Sequence, residues 1–243
     1  MPETVVDQVL KRTGGELRLG GEKVFGTAMF TDLRGFTSFS ETLPADEVIG
    51  LLNRYLGIMS DVVLAHGGTL VTYTGDGMMA VFGAPLPQED HADRALAAAR
   101  EMLEVRLPAF NDWLHEEGHE YSFKMGVGLN SGDFMSGNVG SQQRLEYTAI
   151  GDTINTCSRI EGMTKGTPYA FYMSGSTKDA LTEPPDDLLY IDEMPVRGRS
   201  HTIEIWSLSS DLILKQDWES EGGAKPAAAP ALAVSSSSAA SAS

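Results

Sequence analysis

Two short stretches, Phe30-Thr31-Asp32-Leu33-Arg34-Gly35-Phe36-Thr37 and Thr74-Gly75-Asp76-Gly77, decide how this chain can fold. An apolar run at residues 24–30 leads into the first aspartate, and apolar runs within residues 69–82 flank the second. A Gly-Asp-Gly turn between two apolar runs predicts a β-hairpin. If the first strand pairs beside this hairpin, the two aspartate carboxylates lie at one end of a sheet.

Two carboxylates with room for water and phosphate oxygens suit Mg²⁺ or Mn²⁺ rather than zinc. After Asp32 the chain continues through Arg-Gly-Phe-Thr into a helical region, where free backbone N–H groups can bind phosphate. This combination predicts two-metal phosphoryl or nucleotidyl transfer. Asp-Gly turns and strand-terminal aspartates also occur without any metal, so these two stretches alone leave that alternative open.

The charge of the chain restricts its partners. Its 243 residues include 34 acidic and 18 basic side chains, which gives a formal net charge of −16. This excess argues against nucleic acid or an anionic membrane surface as a partner, because both favour a basic face. A small phosphate-bearing substrate stays compatible, since a few arginines and a metal suffice to bind it.

We expect no direct membrane insertion, because no apolar run approaches the length of a membrane span and the N-terminus lacks a signal-peptide pattern. Cys157 is the only cysteine, so no disulfide can form within the chain. A single thiol favours a reducing, cytoplasmic location. The chain can still be an output domain of a longer protein.

The composition divides the chain into three parts. Residues 1–20 are interpreted as a helix or linker, residues 21–212 as the folded domain, and residues 213–243, rich in Gly, Ala, Pro and Ser, as a disordered tail. The order strand, helix, hairpin, helix, strand predicts an α+β fold with helices packed on a mostly antiparallel sheet. The expected elements include a strand at 24–31, a helix at 45–66, the hairpin at 69–82, a helix at 90–117 broken near Pro108, and strands at 121–129 and 134–139 joined by a turn at 131–133.

A second informative stretch lies at residues 152–161. Asn155 and Arg159 are four residues apart and therefore share one helix face. An amide beside a guanidinium suits a ribose oxygen together with a triphosphate in its transition state. The alternative is a solvated polar face in which Arg159 pairs with a nearby carboxylate. The residues expected to bury the opposite side of this helix are Ile154, Cys157 and Ile160.

Taken together, the motifs resemble those of the class III nucleotidyl cyclase catalytic domain, the adenylyl and guanylyl cyclase family. The resemblance covers roughly residues 20–210 and rests on several motifs in the order of the family. The motifs are residues 30–37, His66-Gly67-Gly68-Thr69-Leu70, residues 74–83, residues 147–153, Asn155 with Arg159-Ile160-Glu161, and Val196-Arg197-Gly198-Arg199. The fold that it implies is ferredoxin-like or palm-like.

The resemblance also implies a metal and phosphate site. Asp32 and Asp76, with the carbonyl of Leu33, would hold two divalent metal ions, Mg²⁺ or Mn²⁺. Arg197 stands where the family usually has a lysine. The residues implied in phosphate binding are Arg34, Gly35, Phe36 and Thr37 through their backbone amides, and Arg144 and Arg197 through their side chains.

The helix motif implies a dimer. In this family the metal aspartates and the Asn/Arg helix of one active site come from opposite subunits. Asn155 would orient the ribose, and Arg159 would neutralise charge that develops at the α-phosphate. Because this chain has both halves, we expect a head-to-tail homodimer with two equivalent composite sites. In a longer parent chain the domain can be fused to a sensor or membrane domain.

Base selection is the point at which the sequence departs from the family pattern. The two base-specifying positions are occupied by Thr72 and Thr148, where adenylyl cyclases usually have lysine, and aspartate or threonine, respectively. Thr148 matches a threonine-bearing bacterial subclass, whereas Thr72 matches neither adenylyl nor guanylyl cyclases and can be a strand residue without base contact. We expect ATP as the substrate; GTP or dual specificity is the alternative. A catalytically weak nucleotide-binding regulatory module is the alternative of another class.

Overall fold

The computed structural model describes residues 19–141, 144–195 and 202–209, which form an eight-stranded sheet with helices packed on it. Strand β1 (Gly20–Arg34) lies in the sheet interior and pairs antiparallel with β3 (Gly77–Phe82) and with β4 (Lys124–Ser141). The other strands are β2 (Thr69–Thr74), β5 (Arg144–Ile150), β6 (Phe171–Ser174), β7 (Leu188–Pro195) and β8 (Thr202–Leu208).

The strand order is β2-β3-β1-β4-β6-β8-β7, and β5 pairs with β4. Among the described strands, β4 and β6 form the one parallel pair. The helices are α1 (Phe36–Ser40), α2 (Ala45–Ala65), α3 (His91–Glu101), α4 (Leu107–Glu116), α5 (Asp152–Met163) and α6 (Gly175–Asp179). The β1-α2-β2-β3-α3-β4 order with the spatial sequence β2-β3-β1-β4 is ferredoxin-like, so the predicted α+β fold with a mostly antiparallel sheet is confirmed.

Two apolar layers cover the two faces of the sheet. Helices α2, α3 and α4 pack on one face together with Met29 and Leu33 of β1. Helix α5 packs on the other face, where Ala28 belongs to a second buried cluster. Because side chains alternate along a strand, the even-numbered residues of β1 face α5, and this alternation places Asp32 and Arg34 on the α5 side of the sheet.

The predicted turn at residues 131–133 is wrong. Strand β4 runs without interruption through Ser131, Gly132 and Asp133, which pair with Thr27, Gly26 and Phe25 of β1. Strand β1 is longer than the predicted strand at 24–31 and offers β4 a continuous partner over its whole length. Ladder hydrogen bonds to this partner override the local turn preference of a Ser-Gly-Asp sequence.

The predicted break in the helix at 90–117 is confirmed. A π-helical segment at Met102–Arg106 separates α3 from α4, and Pro108 lies in the first turn of α4. Proline has no N–H to donate to the preceding turn and its ring clashes with that turn, so the regular helix cannot continue through it.

Helix α2 is, among the described helices, the one that is long and apolar enough to cross a membrane by length and composition. From the sequence, no apolar run was expected to approach the length of a membrane span. The helix buries 7 side chains, among them Leu51, Tyr55 and Met59, which belong to the main core cluster. Its apolar face therefore packs against protein in this fold.

Several sequence interpretations fall outside the described residues. The N-terminal helix or linker at 1–20 lies almost entirely there, as do the tail at 213–243 and Arg197. The domain boundaries and the role of Arg197 stay predictions.

Candidate active site

The carboxylates of Asp32 and Asp76 border one open cleft of about 530 Å³. Asp32 lies near the end of β1, and Asp76 lies in the turn between β2 and β3. The two elements approach closely because residue 77 is glycine: a Cβ there would lie under 3.0 Å from the carbonyl oxygen of Thr31. The N–H of Met78 donates to the Thr31 hydroxyl at 3.3 Å, which fixes the turn against β1.

The two carboxylates repel each other in this cleft. The pKa of Asp76 is raised, chiefly because burial disfavours its charged form and also because the negative charge of Asp32 lies nearby. A cation held between them would relieve this repulsion. Among the described residues no group of three or more His, Cys, Asp and Glu side chains forms a metal site. The two carboxylates are hard oxygen ligands, which fit a divalent ion that takes further ligands from water and a bound phosphate.

The loop after Asp32 forms the next wall of the cleft. Gly35 has φ 77° and ψ 0°, a left-handed conformation, and α1 begins directly after it. A Cβ on Gly35 would also lie under 3.0 Å from the Tyr121 hydroxyl oxygen, so glycine is required for both conformation and space. The first backbone N–H groups of α1, starting at Phe36, have no intrahelical acceptors, and the cleft gives an anion access to them.

The side chain of Arg34 is buried beside the cleft. It is 8% exposed, and its guanidinium forms ion pairs at 2.7 Å with Asp32 and with Glu161 of α5. Burial raises the pKa of Glu161, and the positive charge of Arg34 opposes this effect. The predicted phosphate contact of residue 34 therefore concerns its backbone amide, because the side chain is bound by protein groups.

Asn155 and Arg159 lie on the outer face of α5. Asn155 is exposed and Arg159 is half-buried, whereas Ile154, Cys157 and Ile160 are buried, as the periodicity predicted. Arg159 forms no ion pair with any residue that the structure describes, so the alternative of a carboxylate-paired arginine has no partner among those residues. Neither Asn155 nor Arg159 borders the cleft of the two aspartates.

The two threonines predicted to read the base also lie outside that cleft. Thr72 is exposed on β2, and its hydroxyl donates to the carbonyl of Tyr73 at 3.2 Å. Thr148 is half-buried on β5 and pairs with Gly137 of β4. Arg144 begins β5. Within one chain, the predicted site residues thus separate into a cleft group and a second group on α5, β2 and β5.

Three residues that line the cleft were not predicted from the sequence: Ser38, Tyr121 and Lys165. Lys165 follows the end of α5, and its positive charge acts on both Asp76 and Glu161. It forms no ion pair within the described part of the chain. A lysine after a helix is indistinguishable in sequence from an ordinary surface lysine, so no signal along the chain could have found it.

Comparison with known proteins agrees with this geometry. The family model for the adenylate and guanylate cyclase catalytic domain matches residues 23–210. The chain belongs to this family. The cyclase domain is 36% identical over 186 residues to "Adenylate cyclase 1" of Rhizobium meliloti, an alignment that covers 75% of this chain and 27% of that protein.

Two solved structures are also similar to this cyclase domain. The adenylyl cyclase CyaB from P. aeruginosa shares 29% identity at a TM-score of 0.71, over 79% of this chain and 97% of that one. The guanylyl cyclase Cya2 shares 35% identity at a TM-score of 0.71, over 81% of this chain and 100% of that one. The domain spans less than a third of the length of the curated relatives that it matches.

Proposed function

We propose that this cyclase domain is an adenylyl cyclase that converts ATP to 3′,5′-cyclic AMP and pyrophosphate. The observation that supports it most is the single cleft bordered by both aspartates and by the loop at the start of α1. In the reaction the ribose 3′-oxygen bonds to the α-phosphorus, the bond from that phosphorus to the α,β-bridging oxygen breaks, and the hydroxyl proton leaves.

Asp32 and Asp76, with the carbonyl of Leu33, would hold two divalent ions, Mg²⁺ or Mn²⁺. When bound, such ions supply charge that lowers the pKa of a hydroxyl group and neutralises a triphosphate. The backbone N–H groups at residues 34–37 would bind the β- and γ-phosphates. Lys165 would add a positive charge at the same end of the cleft, since it faces the aspartates and is not paired with a described residue.

The remaining groups would come from a second copy of the chain. Asn155 would orient the ribose and Arg159 would stabilise charge at the α-phosphate. Both project from α5 outside the cleft of their own chain, which supports a head-to-tail homodimer with two composite sites. Thr72, Thr148 and the cations Arg144 and Arg197 would complete the nucleotide site.

ATP is the proposed substrate because Thr148 matches the threonine-bearing subclass and because the Rhizobium relative is named an adenylate cyclase. The similarity to the guanylyl cyclase Cya2, at 35% identity, favours GTP as the second candidate. We further propose that the domain works in the cytoplasm as the output part of a longer protein, since its relatives are several times longer.

Product analysis by mass spectrometry tests the proposal. The purified chain is incubated with ATP or GTP separately, with Mg²⁺ or Mn²⁺, and Asp32→Ala serves as the matched inactive variant. Cyclic AMP from the wild type, and none from Asp32→Ala, is the expected result. Cyclic GMP as the main product would identify GTP, rather than ATP, as the substrate. Nucleotide binding without product would favour a regulatory module instead.

A further inference from the structure

We propose that Arg34 is a positioning residue whose side chain fixes the Asp32 carboxylate and joins it to α5 through Glu161, without binding substrate phosphate. This inference rests on the proposed function, in which Asp32 is a metal ligand. It concerns the side chain of Arg34 and is independent of the phosphate contact of its backbone amide.

Both terminal nitrogens of the guanidinium donate to protein acceptors. Nη1 donates to Asp32 Oδ2 at 2.7 Å, and Nη2 donates to Glu161 Oε1 at 2.7 Å and also to the hydroxyl of Thr164. The Thr164 hydroxyl in turn donates to the carbonyl of Glu161 at 2.8 Å. A planar guanidinium can reach acceptors on two sides at once, which the single ammonium of lysine cannot. With these contacts made and only 8% of the side chain exposed, little of the guanidinium is accessible to a phosphate.

The sheet register creates the space for this ion pair. Gly126 of β4 lies opposite Asp32 of β1. A Cβ at residue 126 would lie under 3.0 Å from Arg34 Nη2, Glu161 Oε1 and Thr164 Oγ1. A Cβ at Gly128, two residues further along the same face, would lie under 3.0 Å from the backbone of Glu161. The network is therefore built into the packing of β4 against α5.

The network joins two groups that act in different active sites. Asp32 belongs to the cleft, whereas α5 presents Arg159 outside it. In a head-to-tail dimer one chain would thus connect the metal end of one site to the catalytic helix of the other. Partners that orient metal ligands from outside the coordination shell typically change metal affinity or activity by about 10- to 100-fold when they are removed.

The decisive variant removes both charges together. Removing one partner alone would leave the other charge buried and unpaired, which strongly destabilises a fold. The double variant Arg34→Gln with Glu161→Gln keeps the net charge of the region. The cation that it removes contacts Asp32 directly, so charge alone would strengthen metal binding, and a weaker affinity reports the lost orientation of Asp32. The matched control, Arg100→Gln with Asp187→Asn, removes a part-buried ion pair outside the cleft.

We expect the double variant to fold, to lose about 10- to 100-fold in kcat at saturating Mn²⁺, and to keep its KM for ATP within about threefold. Titration of the nucleotide-free chain with Mn²⁺, followed by electron paramagnetic resonance, is expected to show a dissociation constant raised about tenfold. The control pair should leave all three quantities unchanged. Gly126→Ala, which displaces the guanidinium without changing any charge, should reproduce the loss in kcat.

Wild-type kcat and Mn²⁺ affinity in the double variant would overturn the inference. A KM for ATP raised more than about tenfold at unchanged kcat would also overturn it, because that pattern means lost ground-state binding of phosphate. If Asp32→Ala is inactive while the double variant behaves like the wild type, the inference alone fails. If Asp32→Ala retains full turnover, the assignment of Asp32 as a metal ligand fails. If the wild type forms no cyclic nucleotide, the proposed function fails as well.

Discussion

Mixing two inactive variants tests the composite site most directly. Asp32→Ala removes a group of the cleft, and Arg159→Ala removes a group on α5 that does not border the cleft. In a head-to-tail dimer each active site takes Asp32 from one chain and Arg159 from the other. Each variant alone should therefore be inactive at both sites of its homodimer.

The expected magnitude follows from the symmetry. Random exchange of an equimolar mixture gives half heterodimers, and each heterodimer has one site with both residues intact and one site lacking both. The mixture should thus recover about 25% of the wild-type activity per chain, as expected for two equivalent sites related by a two-fold axis.

The assay is cyclic AMP formation by the single variants, by the equimolar mixture after subunit exchange, and by the Asp32→Ala, Arg159→Ala double variant mixed with wild type. In that last mixture both sites of every heterodimer take Asp32 and Arg159 from different chains, so each of the two sites lacks one of these residues. Only the wild-type homodimers, which are about a quarter of the dimers, should therefore be active, so this mixture should also have about 25% of the wild-type activity per chain. No recovery in the first mixture, with heterodimers present by mass spectrometry, would refute the composite site.

Three further predictions concern stability and base selection. Burial lowers the pKa of His91 below its usual 6.5, and Nδ1 of this residue lies 2.7 Å from the Thr27 hydroxyl oxygen. As the pH falls through 6.5, the unfolded chain therefore binds more protons than the folded chain does. The free energy of unfolding should decrease below that pH, and His91→Gln should weaken this pH dependence in urea titrations at pH 5 to 8. Gly57 lies exposed in α2 with open space around its Cβ position, so Gly57→Ala should stabilise the fold by about 0.5–1 kcal/mol. Gly68→Ala should instead destabilise the fold by about 1–3 kcal/mol, because a Cβ at residue 68 would lie under 3.0 Å from the Phe82 ring. Thermal unfolding of both variants and of the wild type measures the two effects. Thr72→Lys should raise ATP turnover relative to GTP turnover if residue 72 contacts the base, and unchanged kinetics with both nucleotides would identify Thr72 as a strand residue only.

Part of the active site could be derived from the sequence because it depends on local rules. A strand that ends at Asp32 and a Gly-Asp-Gly hairpin that presents Asp76 need only alternation and turn chemistry. The family motifs then identified the cyclase domain, which the comparison with known proteins confirmed. The buried side of α5 followed from helical periodicity in the same way.

The incorrect turn at residues 131–133 shows where local rules fail. Its sequence favours a turn, but the partner that keeps it extended is β1, about a hundred residues earlier in the chain. Pairing energy from a distant strand is not visible in a short window, so the two predicted strands are one continuous strand.

The sequence by itself determined the fold class, the family and the two aspartates, because periodicity, turn residues and ordered motifs are properties of neighbouring residues. Only the tertiary structure decided that Arg34 is buried between Asp32 and Glu161, which lies 127 residues away from it. It also decided that Lys165 borders the cleft and that Arg159 does not. These facts depend on strand register and on the packing of α5 against β4. Such packing between distant segments decides which of many chemically similar arginines and lysines lies beside a given carboxylate.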